Sequence, residues 1–149
     1  MDKLTAALKI ALANTFVMYF KSHTYHWNVE GFAFGPYHDF FGGIYEDLYG
    51  AVDPIAEHLR KIDVYAPVSL MELYGYKTIN EDAAKPVNIH SMLSNLLADN
   101  SEVLRGLSTL FDLATAEKNQ GLANFIADRM DAHKKHEWQI KASLKTLGD

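Results

Sequence analysis

The chain has no cysteine, which excludes both a disulfide framework and a thiolate metal site, so any metal must be held by imidazole and carboxylate. It also lacks an excess of positive charge. Its 14 Lys and Arg stand against 19 Asp and Glu, for a formal net charge of −5, and no Lys/Arg cluster breaks that balance. Binding a polyanion by bulk electrostatics is disfavoured, because nucleic-acid binders carry clustered basic residues. Long apolar runs are missing too. The opening stretch MDKLTAALKIALANTF is split by Lys9, which leaves an apolar block too short for an export signal or a membrane span; the expectation is a cytoplasmic protein with no membrane contact. Proline is scarce, at four residues, and no segment alternates with the period of two that marks a strand. Nor is there an internal repeat or a low-complexity tract. A chain of 149 residues is long enough for one domain, 1–149, that buries a core without staples.

What is present is helical periodicity. Leu4, Leu8, Leu12, Thr15 and Tyr19, widened by Ala7, Ala11, Phe16 and Met18, form one amphipathic stripe that predicts a helix ending near Val29. Gly31, Gly35 and Pro36 make a loop, and Pro36 suits the first turn of a second helix running to about Val64. Pro54 removes the donor for the Gly50 carbonyl, and is expected to kink or divide that helix. From Tyr65 to Val87 the pattern breaks except for the island SLMELYG, read as two helical turns beginning at Ser69 inside a packed crossover. Asn88 is the expected cap of a third helix carrying Ile89, Leu93, Leu96, Asn100, Val103, Leu107, Leu110 and Ala114 at alternating steps of four and three. After EKNQG a fourth helix continues through Leu122, Phe125, Ile126, Met130, Ile140 and Leu144, and so short a break makes these two antiparallel neighbours. The fold class is all-α: a four-helix bundle with one long crossover carrying a short extra helix, as in ferritin-like proteins.

Seven histidines in a cysteine-free chain direct attention to metal. Bundles that hold metals in their core use Glu-x-x-His steps on two helices, and no glutamate here has a histidine three residues later. A different set is available: His26 near the end of helix one, His38 early in helix two, and Asp53 and Glu57 one turn apart late in helix two. Imidazole plus hard oxygen suits iron, manganese or zinc. His38 and Asp53 are separated by about 22 Å along one helix at 1.5 Å per residue, so no single ion touches both within one chain. Two antiparallel copies of helix two, related by a two-fold axis near Glu46 to Leu48, bring His38 of one chain beside the acids of the other and create two equivalent sites. Gly42, Gly43 and Gly50 fit such a close helix approach.

The motif HWNVEG, followed by His38 twelve residues after His26 and then by Asp53 and Glu57, resembles the signature of the mini-ferritins, the starvation-induced DNA-binding protein (Dps) family. The likeness extends through the helix lengths, the short helix in the crossover and Trp138 in the last helix. It implies a homo-oligomeric shell, a dodecamer built from two-fold dimers, with a ferroxidase centre at each two-fold interface. There ferrous iron is oxidised by hydrogen peroxide or oxygen and stored as ferric mineral, with zinc as a possible substitute metal. By that pattern His26 and His38 come from one subunit and Asp53 and Glu57 from its partner, Glu57 bridging two metal positions.

The chain departs from that pattern in three places. Where the family has an Asp four residues after its second His, this chain has Gly42, so the second iron position loses a carboxylate; slower or peroxide-biased oxidation is expected. Helix one begins soon after MDK and the end, KASLKTLGD, is short, which with the negative charge predicts weak or absent DNA binding. The region where the family lines its pores with carboxylates offers Asn119, Gln120 and Asn124, with Asp128 and Asp131 further along; the bland reading is turn capping. Elsewhere, His23 and His58 read as surface or hydrogen-bonded residues, and His133 and His136, with lysines between them, as an exposed helix face. Trp27 and Tyr45 are candidate radical quenchers near an iron site. Two rivals to the ferroxidase reading are a non-enzymatic cage with an incomplete centre that holds one metal, and a DNA-protecting shell.

Overall fold

The computed structural model describes residues 1–145, which form five helices and no strand: α1 (Lys3–Asn28), α2 (Phe34–Lys61), α3 (Leu70–Tyr74), α4 (Ile89–Ala116) and α5 (Gln120–Leu144). The last residues of KASLKTLGD, from position 146, lie outside the described residues. Helix α1 packs against α2 and α4, α4 against α5, and α5 closes the ring against α2. That leaves α2 and α4 diagonal across the bundle, which is why a long crossover joins them. None of the helices among the described residues is long and apolar enough to cross a membrane.

The caps follow the sequence. Asp2 accepts the Thr5 N–H at 2.7 Å, Ser69 accepts from Glu72 at 3.1 Å, and Asn88 accepts from Ser91 at 2.9 Å, each satisfying an orphan donor of a first turn. Every member of the α4 stripe from Leu93 to Ala114 is buried, Asn100 included, and Ile89 is half-buried. Helix α1 is buried over more than its predicted stripe, because α2, α4 and the crossover cover three of its sides. Asn14 holds the crossover there, accepting from the Thr78 N–H at 2.8 Å and donating to Thr78 Oγ1 at 2.7 Å. Lys21 donates to the Asn80 carbonyl and to Asp99 Oδ2, 2.7 Å away. Leu73 and Ile79 are buried by this packing, whereas Leu70 and Met71 remain exposed.

The expected end of α2 is corrected, and so, of the two outcomes expected at Pro54, is the division. Pro54 does not divide α2, which runs unbroken through it; Gly50 lies on the exposed side, where solvent can serve the carbonyl that Pro54 leaves without a donor. The helix also stops at Lys61 rather than Val64, closed by a Schellman motif: Val64 N–H reaches the Leu59 carbonyl at 3.0 Å and Asp63 N–H the Arg60 carbonyl at 3.1 Å, with Asp63 at φ 62°.

The same closure ends α4, where Asn119 N–H reaches the Ala114 carbonyl at 2.9 Å and Lys118 sits at φ 58°. A lysine has no side-chain bond to compensate a left-handed backbone. Lys118→Gly should therefore raise stability by about 0.5–1 kcal/mol, measured as a higher denaturant midpoint with an unchanged slope; a lower midpoint would mean that the lysine side chain makes a stabilising contact.

A candidate intersubunit metal centre

The turn between α1 and α2 brings His26 and His38 face to face, with ring centroids 3.7 Å apart and planes 19° from parallel. Each Nδ1 lies 2.7 Å from the backbone carbonyl of the other residue. A carbonyl only accepts, so both Nδ1 atoms carry the proton and donate. The carbonyl of His26 belongs to the last turn of α1, where it has no intrahelical partner, and the His38 ring supplies one. The reciprocal pair thus stitches the two helices together and leaves both Nε2 lone pairs free, the tautomer in which imidazole ligates a metal. The Phe34 ring stacks on His38 at 5.0 Å and Tyr45 flanks His26 at 5.2 Å.

Gly42 makes room for this arrangement. A Cβ placed there would stand 3.2 Å from His26 Nδ1 and 3.3 Å from Cε1, closer than an ordinary van der Waals contact. The missing side chain lets the His26 ring lie flat against α2, and it also leaves no donor at that position.

Asp53 and Glu57 occupy the far half of α2 and are exposed. Asp53 forms the polar edge of a hollow of about 430 Å³ otherwise lined by Phe16, Tyr49, Val52 and Ala56. The structure thus joins the two imidazoles and keeps the two acids apart from them. Among the described residues, no three His, Asp or Glu of one chain gather in a metal-holding geometry. Asp39 and Glu46 are exposed. His58 faces the Phe125 ring at 4.8 Å. Asn119 caps α5 by accepting the Leu122 N–H at 3.2 Å, the bland reading of that turn, and His23 is a hydrogen-bonded histidine, 3.0 Å from the Tyr19 hydroxyl.

The expectation for His133 and His136 is overturned. They are 0% and 7% exposed and belong to a polar seam between α2, α4 and α5. Arg129 grips Asp47 with two parallel bonds of 2.9 Å, and His136 Nε2 lies 2.7 Å from the same carboxylate. His133 Nδ1 donates to Asn100 Oδ1 at 2.7 Å, and Asn100 Nδ2 returns a bond to the His133 carbonyl at 2.9 Å. Burial, with Arg129 and His136 nearby, pushes His133 down to about 3, so it is neutral. Burial alone would raise Asp47, but hydrogen bonds from His136 and Arg129 outweigh it and hold the carboxyl well below its usual range. The signal was in the sequence: Leu122, Ile126, Arg129, His133, His136 and Ile140 alternate in steps of four and three, as the α4 stripe does.

Comparison with known proteins bears on this geometry. The family of ferritin-like domains matches residues 5–148. The DNA protection during starvation protein of Brevibacillus brevis is 27% identical over 135 residues, covering 90% of this chain and 89% of that protein. Antigen TpF1 of Treponema pallidum has a solved structure that superposes with a TM-score of 0.91 at 28% identity, covering 96% of this chain and 92% of the antigen. The Dps protein of Vibrio cholerae O1, described as a member of a broad superfamily of ferritin-like diiron-carboxylate proteins, also superposes at 0.91 with 28% identity, covering 96% and 89% of the two chains.

Proposed function

Since the chain belongs to the Dps family of ferritin-like proteins, we propose that it oxidises and sequesters ferrous iron, with hydrogen peroxide or oxygen as oxidant, at a site shared by two subunits in a cytoplasmic shell. The observation that carries this reading is the reciprocal His26–His38 pair, which fixes both free nitrogens in the ligand tautomer. In the assembly, the two imidazoles of one subunit face Asp53 and Glu57 of its partner across antiparallel copies of α2. Exposed Phe20, Trp27, Phe34 and Tyr49 on the α1–α2 face supply apolar area for that contact. A dodecamer of such dimers would enclose the ferric product.

Iron is the substrate here. His26 and His38 would each offer ferrous iron a neutral nitrogen, and the partner's carboxylates would neutralise its charge and favour the ferric state. Glu57 would bridge to a second ion. Peroxide takes one electron from each of two ferrous ions and two protons, and leaves as water. Zinc, with the same ligand preferences, would compete for the site.

Gly42 favours keeping one rival in view, a cage that holds a single metal. Anaerobic titration with ferrous iron followed by peroxide separates the two. The enzyme consumes two ferrous ions per site, the second bound more weakly; one tightly held, unreactive ion would establish the cage instead. Gly42→Asp should tighten the second equivalent by about tenfold, ~1.4 kcal/mol, after the His26 ring yields a few tenths of an ångström to the new Cβ. With a net charge of −5, the protein should not retard DNA in a gel at physiological salt; strong retardation would revive the DNA-protecting reading.

A further inference from the structure

Beside the His26–His38 pair lies a second constellation with a different chemistry. We infer that Tyr19 and His23 form a proton-coupled electron relay that serves the metal site through Tyr45, an inference that rests on the ferroxidase reading of that site.

The geometry is specific. The Tyr19 hydroxyl and His23 Nδ1 lie 3.0 Å apart, one turn along α1; in the relay the phenol is the donor. The His23 ring is stacked on Tyr45 with centroids 3.8 Å apart and planes 5° from parallel. Tyr45 in turn flanks His26 at 5.2 Å, and Tyr19 itself lies 6.2 Å from Tyr45. Every step from His26 to Tyr19 is therefore a contact between neighbouring rings. On the far side Tyr49 packs on Tyr19 at 4.9 Å and is exposed.

A phenol that loses an electron becomes a strong acid, so a tyrosine can be oxidised readily only if its proton has somewhere to go. Among the described residues, Tyr45 and Tyr49 make no hydrogen bond through their hydroxyls, whereas Tyr19 has a base within bonding distance. The relay takes the resting pair as a phenol donating to the imidazole Nδ1, the one ring nitrogen within bonding distance of the hydroxyl.

The step balances. When ferrous iron and peroxide at the site yield a hydroxyl radical, one electron passes from Tyr19 through Tyr45 to that oxidant, which becomes hydroxide. The O–H bond of Tyr19 breaks, its proton moves to His23 Nδ1, and a neutral tyrosyl radical and an imidazolium remain. An electron from a further ferrous ion and the proton from His23 restore the phenol. The net change is the oxidation of one more ferrous ion, with the oxidising equivalent held on a half-buried ring rather than released into the shell.

The test has two arms. In the first, the metal-free assembled protein is oxidised with azide radicals from pulse radiolysis, and the tyrosyl radical is followed by absorbance and electron paramagnetic resonance. A radical that disappears in Tyr19→Phe but persists in Tyr65→Phe, and forms roughly a hundredfold more slowly in His23→Gln, the lower end of what a positioned base contributes, supports the pair. Slower formation in heavy water, lost in His23→Gln, supports it further. An identical radical in wild type and Tyr19→Phe overturns it. In the second arm, ferrous-loaded protein is treated with peroxide and frozen. The same Tyr19-dependent signal supports service to the metal site; a signal unchanged by Tyr19→Phe overturns that service. Failure to consume iron would defeat the ferroxidase reading and leave the radiolysis arm to decide the pair.

Discussion

Two inactive variants should become active when mixed. His26→Ala/His38→Ala removes the imidazoles and leaves the acids, and Asp53→Ala/Glu57→Ala does the reverse. Each assembled alone should lose fast peroxide-driven iron oxidation, because every site lacks one half of its ligands. Co-refolded in equal amounts, half of the two-fold dimers carry one chain of each kind. In such a dimer one site has both halves mutated, and the other combines intact imidazoles with intact acids. Random pairing therefore restores about a quarter of the wild-type sites, a figure set by two-fold symmetry alone. A site built within one chain would give no recovery at any mixing ratio. Stopped-flow iron oxidation of the mixture decides between them, with size-exclusion chromatography showing that both variants assemble. The substitutions should be structurally mild on the acid side, where both residues are exposed. His26 and His38 each donate to the other's carbonyl, so their joint loss should also loosen the α1–α2 turn by roughly 1–2 kcal/mol.

That asymmetry marks how far the sequence could be read. The α4 stripe was fully legible, since its apolar residues repeat in steps of four and three and Asn88 announces the start. The imidazole pair was legible as candidate ligands, but its tautomers were not. They depend on two backbone carbonyls that approach only when the Gly31 turn, at φ 107°, folds α2 back on α1. Gly42 was legible as a missing carboxylate and illegible as room for the His26 ring. Pro54 misled only as a point of division, because the cost of a lost helix bond depends on whether solvent can reach the abandoned carbonyl, and exposure is a tertiary property. The seam along α5 was hidden by residue type. Arg129, His133 and His136 sit at the spacing of the apolar residues around them, but charged and imidazole side chains are usually solvated, and only their partners reverse that expectation. Those partners, Asp47 and Asn100, lie on α2 and α4, distant in sequence.

The same seam should make the fold acid-labile in a defined window. His133 titrates near 3 in the folded protein against an ordinary value near 6.5. Between those values the unfolded chain binds a proton that the folded chain refuses, so stability falls as pH drops, approaching about 1.4 kcal/mol per pH unit for one such group. Asp47 works in the same direction but lower. Its folded carboxyl is held below the usual range, so its contribution is complete above the ordinary carboxylate value and is lost only as pH falls beneath it. From pH 6.5 to about 4 the slope should thus be due chiefly to His133, with Asp47 adding below that. Denaturant unfolding at a series of pH values measures it, and His133→Gln, which keeps a donor for Asn100, should flatten the upper part. A wild-type profile that is level from pH 7 to 4.5 would mean that His133 is protonated in the fold. Arg129→Leu tests the lower part. It strips the two-bond clamp from a carboxylate that α5 holds against α2, and removing one partner of a buried pair costs about 3–5 kcal/mol. With Asp47 partly open to solvent, the expected loss is at the lower end of that range. The loss should shrink as pH falls and the carboxylate, left with His136 as its partner, takes up a proton, so the two profiles should converge toward acid, whereas a purely steric role for Arg129 predicts that they stay parallel.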